Sequence, residues 1–138
     1  MPEPRVIFAL AAEAEDDFIW DRLGDIQSSM FAAGPVSIKF AYFGEEGARA
    51  NRPFISTRWA TDADDMHALM AHARTQCVCG CYVSIDDILG EALKETQQGS
   101  VQAVVIIGDH FHGNRDDAFA YARQLRAAGT DQSRIGSR

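Results

Sequence analysis

The stretch Val101–Gly113, VQAVVIIGDHFHG, limits the fold more than any other part of the chain. Six of the seven positions from Val101 to Ile107 are apolar, most of them β-branched, and Gly108-Asp109 stops the run. A strand wetted on one side alternates apolar and polar residues, whereas an unbroken run of this length is buried on both faces. A sheet with such a strand inside it carries helices on both sides. In open parallel sheets of that build, ligands gather beyond the carboxyl ends of the strands. Here that end carries Asp109, His110 and His112.

The 138 residues fit a single domain, 1–138, large enough to bury roughly two-thirds of the surface of the unfolded chain. With 46% apolar and 24% charged residues the composition is that of a soluble globular protein. No apolar run approaches the ~20 residues of a membrane span. The opening MPEPRVIFAL has neither a leading basic segment nor a small-residue cleavage site, so no export signal is expected. A net charge of −7 with no compensating Lys/Arg cluster argues against nucleic acid and anionic membranes as partners, since both require a concentrated basic face. The three cysteines all fall within Cys77–Cys81. They cannot staple distant parts of a fold, and a reducing cytoplasm is the expected compartment.

Along the chain, Arg5–Leu10 reads as a first buried strand. Ile19, Leu23, Ile26 and Met30 recur at helical spacing and predict an amphipathic helix from about Asp16 to Phe31. Glu15, Asp16 and Asp17 stand at its start, where negative charge meets the positive end of the helix dipole. Gly34-Pro35 ends the unit, and Val36–Phe43 reads as a second strand. After a polar loop at Gly44–Pro53, Phe54–Trp59 can pair back as an antiparallel third strand. Thr61 with Asp64 resembles a capping pair, opening a helix with Met66, Leu69, Met70 and Ala73 inward. Ser84 caps a further helix that buries Ile85, Ile88, Leu89 and Ala92. The last helix starts at Asn114 or Asp116 with Phe119, Ala122 and Leu125 inward, and Gly129 stands at its left-handed C-terminal position. The tail TDQSRIGSR has Ile135 as its lone large apolar residue. On this reading, either the domain is truncated or its last edge strand is lost. The order of elements predicts an α/β fold, a doubly wound, Rossmann-like, mainly parallel sheet with helices on both faces.

The segments RVIFALAAEAEDDFIWD, STRWATDADDMHALM, VSIDDILGEALKE and VQAVVIIGD, in that order, resemble a von Willebrand factor A-type domain of the small stand-alone bacterial kind. The resemblance covers nearly the whole chain. It implies one antiparallel edge strand and a metal-ion-dependent adhesion site, where a bound Mg²⁺ completes its coordination with a partner's carboxylate. The family's ligands are an Asp-x-Ser/Thr-x-Ser motif after the first strand, a Thr before the central helix and an Asp after the fourth strand. Here the first motif reads Ala11-x-Glu13-x-Glu15, and the Thr position falls on Val83 beside Ser84. Only Asp109 matches. Mg²⁺ wants octahedral oxygen ligands at short distance, so the site is expected to be degenerate, with Glu13, Glu15 and Asp109 as a residual carboxylate cluster and no Mg²⁺ held in the family's manner.

Cys77, Cys79 and Cys81 lie in the connection that in the family brings the Thr ligand to the site, and His110 and His112 follow the fourth strand at the same edge. Thiolates and imidazoles favour Zn²⁺ over Mg²⁺. The alternative expectation is therefore a Zn²⁺-binding or thiol-redox site at these five residues. Against it, zinc sites usually space their cysteines as C-x₂₋₄-C, and cysteine is often simply buried as a small hydrophobe. His67 and His72 are spaced off one another's helix face and read as solvated. No base, nucleophile and oxyanion donor can be assembled around Asp109, and Leu10–Phe18 contains no glycine for a phosphate loop. The function expected is a non-enzymatic protein-interaction domain, docking a protein partner at the strand-carboxyl edge without a cofactor.

Overall fold

In the computed structural model the described residues are 4–11, 17–42, 55–76, 85–99, 101–108, 115–129 and 131–136. Strand β1 (Arg5–Ala11) lies at the middle of the sheet, between β2 (Ser37–Tyr42) and β4 (Ala103–Gly108), and is parallel to both. Strand β3 (Ile55–Ser56) runs antiparallel on the outside of β2, and β5 (Asp131–Gly136) runs parallel on the outside of β4. The order β3-β2-β1-β4-β5 confirms the doubly wound, mainly parallel sheet with one antiparallel edge.

Both faces of the sheet are covered, as the unbroken apolar strands require. Helix α1 (Asp17–Ala33) and helix α2 (Ala63–Gln76) bury Leu23, Met66 and Met70 against Val6, Phe8 and Leu10 of β1 and Phe40 of β2. Helix α3 (Ile85–Glu95) and helix α4 (Arg115–Ala127) pack on the other face against Ile7 and Ala9 of β1 and Val104 and Ile106 of β4. Successive residues of β1 thus enter opposite cores, with Phe8 and Ala9 wholly buried. This is the physical content of a strand without polar alternation. Helix α3 buries Ile85, Ile88, Leu89 and Ala92, the stripe its spacing predicts.

Four details differ from the sequence expectations. The tail is not without a strand: β5 pairs with β4 over its whole length, from Ala103↔Asp131 to Gly108↔Gly136. An outer strand is held by main-chain hydrogen bonds along one side, which need no apolar run, and polar residues suit an edge. On α4 the inward residue is Ala118 rather than Phe119, which is 58% exposed. The stripe runs Ala118, Tyr121, Ala122, Leu125. The cap of α2 is one residue later than predicted, since the Asp62 carboxylate accepts the Asp65 N–H at 2.7 Å. Finally, β3 is shorter than Phe54–Trp59. After Ala41↔Ser56 the pairing resumes only at Ile38↔Ala60, with one extra residue on the outer side. At this bulge the Thr57 hydroxyl accepts the Phe40 N–H at 3.0 Å, so the ladder loses no partner there. Gly129, at φ 88°, closes α4 in the left-handed region as expected.

Candidate functional site

The carboxyl end of the sheet is fixed by register. Ala11, the last residue of β1, pairs with Gly108, the last of β4. The chain leaves the described frame at both points, so the segments 12–16 and 109–114 depart from adjacent positions on one edge. Helix α1 starts at that edge, and its first turns place Trp20 under the Arg74 guanidinium, 5.7 Å from the ring centroid. Arg74 is in the last turn of α2, so α2 ends where α1 begins. Helix α3 ends with Glu95 against Arg5, at the opposite end of β1, and therefore begins at the carboxyl edge. The segment 77–84, which joins α2 on one face of the sheet to α3 on the other, leaves and rejoins the frame at this same end.

At the described part of this edge the first turns of two helices are acidic: Asp86 and Asp87 on α3, Asp116 and Asp117 on α4. Helix N-termini favour negative charge through their dipoles, which accounts for all four without a ligand. Asp87 is partly withdrawn from water. Burial, and secondarily the charge of Asp86, pushes its carboxyl above the ordinary carboxylate range. The Asp86-Asp87 doublet, separated from Ser84 by Ile85, is the sequence signal for this feature. Phe119 stands two turns or fewer from the start of α4, at this same end, and is the exposed large hydrophobic residue among those described.

Glu13, Glu15, Cys77, Cys79, Cys81, Asp109, His110 and His112 all lie outside the described residues. Among the described residues no group of three or more His, Cys, Asp or Glu is placed to hold a metal ion. Ala11, which the resemblance puts at the place of the family's first ligand, ends β1 beside Gly108. His67 and His72 are both exposed on α2, as the spacing predicted.

The amino end of the sheet is built to hold α3 in place. Glu95 accepts from Lys39 at 2.8 Å and from Arg5 at 3.3 Å, and the Arg5 guanidinium also donates to the carbonyl oxygen of Glu95 at 2.7 Å and to that of Gly99. Both cations lie over the Trp59 ring, at 4.9 Å for Arg5 and 5.0 Å for Lys39. This network ties the last turn of α3 to β1 and β2, and through them orients the helix start at the opposite edge.

No protein-family model matches the sequence, and no curated protein does. Among solved structures, the manganese-loaded TRAP protein of Plasmodium vivax, known from its crystal structure, is similar in fold. The TM-score is 0.67 at 10% sequence identity, over 97% of this chain and 57% of that one. This chain thus spans a little over half of its structural neighbour. At so low an identity the likeness is one of fold alone, a mostly parallel α/β sheet with one antiparallel edge strand.

Proposed function

We propose that the chain is a protein-interaction domain of the von Willebrand factor A type, docking a protein partner at the strand-carboxyl end of its sheet with no bridging metal ion. The observation that carries this reading is the departure of segments 12–16, 77–84 and 109–114 from one end of the frame. In open α/β sheets that end is where ligands bind. Exposed Phe119 beside it supports the same reading, since aromatic anchors dominate protein interfaces. Ala11 in place of the ligating Asp is the reason for leaving out the ion, even though the structural neighbour is manganese-loaded. The test is a photoreactive residue placed at Asp86 or Asp116 in one set of variants and at Gln98, near the amino end, in another. The reading expects the first set to crosslink one and the same protein in cells and the Gln98 variant not to. Equal labelling from both ends, or none from either, contradicts it.

A second reading takes the same convergence as a soft-metal site, with Cys77, Cys79 and Cys81 meeting His110 and His112 around Zn²⁺. It expects stoichiometric zinc in protein purified without chelator and thiols that titrate only after the metal is removed. Zinc-free protein with fully titratable thiols refutes it.

A further inference from the structure

Helix α4 presents two stripes to two different surroundings. Ala118, Tyr121, Ala122 and Leu125 pack into the core on their side of the sheet. Beginning one residue later, Phe119, Ala122, Arg123 and Arg126 follow the i, i+3, i+4, i+7 spacing that gathers side chains on one side of a helix. A shift of one residue turns a stripe by about 100°, and this second stripe faces water. Phe119 is 58% exposed, and Arg123 and Arg126 are both exposed. Together with Asp116 these residues line a depression of about 580 Å³ on the outside of α4.

Taken singly, two of them have ordinary causes. One exposed apolar side chain is common on a protein surface, and Arg126, in the last turn, is favoured there by the helix dipole. Neither cause covers the combination. Arg123 lies before the last turn, and the chain holds 20 acidic residues against 13 basic ones, yet among the described residues neither Arg123 nor Arg126 pairs with a carboxylate. Two open guanidinium groups beside an open phenyl ring thus form a basic, apolar patch on a chain of net charge −7. Aromatic residues and arginine are the types enriched at protein interfaces.

We propose that this face of α4 receives an acidic amphipathic helix of a protein partner, with an apolar side chain of the partner seated on Phe119 and Ala122 and its carboxylates paired with Arg123 and Arg126. Arginine suits the role because its planar fork takes a carboxylate through two parallel hydrogen bonds. The net charge repels an acidic partner elsewhere on the surface, so these two cations decide where it lands. Nucleic acid and anionic membranes have the same sign but require a broader basic face than two side chains supply. Asp116, at the start of α4, sets the direction: the partner's acidic residues lie toward Arg126, and the part of it above Asp116 carries none. The face adjoins the strand-carboxyl end at Phe119, so the inference rests on the docking reading and adds the chemistry of the partner.

The probe is a peptide of about five helical turns with leucine along one face and glutamate flanking it. Two twins accompany it, one with lysine for every glutamate and one with serine for every leucine. Each is titrated into the intact ¹⁵N-labelled chain while the α4 amides are followed. Saturable shifts centred on Phe119–Arg126 are expected with the acidic leucine peptide alone, weakening as salt is raised. Phe119→Ser is expected to weaken binding at least about tenfold at an unchanged melting temperature. Arg123→Glu combined with Arg126→Glu is expected to do the same and to bind the lysine twin instead. No saturable shift at millimolar acidic peptide overturns the proposal, as does equal binding of either twin to the parent chain or parent-like binding by either variant. Self-association of the parent that the double variant loses gives the face to a second copy and overturns it too. Failure of the docking reading shows differently, as no in-cell crosslink from Asp86 whatever the peptides do. Peptide titrations that fail while Asp86 still crosslinks overturn this inference alone.

Discussion

Glu95 is the residue on which the amino end of the sheet depends. Its carboxylate meets Lys39 and Arg5 with side chains only 12–17% exposed, so removing it takes the counter-charge from two cations in a poorly solvated site above Trp59. Glu95→Ala is expected to lower stability by about 3 kcal/mol, the lower end of the range for truncating one partner of a buried pair. Urea unfolding, with the midpoint moved and the slope unchanged, checks this. The Arg58–Asp65 pair is of another kind. Arg58 embraces the Asp65 carboxylate with both its terminal nitrogens, but the guanidinium side chain is 65% exposed. The hydrogen bond from Arg58, opposed by slight desolvation and aided by the Arg58 charge, holds the Asp65 carboxyl below its ordinary value of 3.8. A folded-state value below the unfolded one contributes stability that is present above the unfolded value and lost as pH falls through the lowered folded value. Asp65→Asn should therefore melt at a lower temperature than the parent at pH 7. The difference should begin to shrink near 3.8 and close once the pH is below the lowered folded value.

At the level of elements, α4 and β5 are where sequence and structure part. Phe119, Ala122 and Leu125 read as an inward stripe at intervals of three, but the packed residues are Ala118, Ala122 and Leu125, at intervals of four and three. Phe119→Ala is accordingly expected to change stability by no more than about 0.5 kcal/mol, against about 2–5 kcal/mol for Leu125→Ala. Equal losses would return Phe119 to the core. Strand β5 was missed because the signal sought was an apolar run, and an outer strand carries its order in main-chain hydrogen bonds that leave no such trace. Hydrogen exchange tests it directly. Amides of Asp131–Gly136 should alternate between protected and open, since only one side of the strand is paired. Uniformly fast exchange would contradict the strand. By contrast, β1, β4 and α3 were legible residue by residue, because a strand buried on both faces and a helix with a single apolar stripe write their environment into composition.

For the whole molecule, the fold was legible and the site only in outline. The order of elements and the buried central strands specify a doubly wound sheet, and that sheet brings the ends of β1, α2 and β4 and the start of α3 to one edge. Glu13, Asp109 and their neighbours lie outside the described residues, and side-chain geometry is not something periodicity encodes. The function proposed for this edge is docking of a protein partner without an ion. Thermal melting of metal-free chain with and without millimolar Mg²⁺ or Mn²⁺ tests it most directly. An ion present at a hundred times its Kd adds about 2.7 kcal/mol by mass action, on the order of 8 °C for a chain of this size. An unchanged melting temperature is expected with either ion. A rise of that order, abolished by Asp109→Ala, would contradict it.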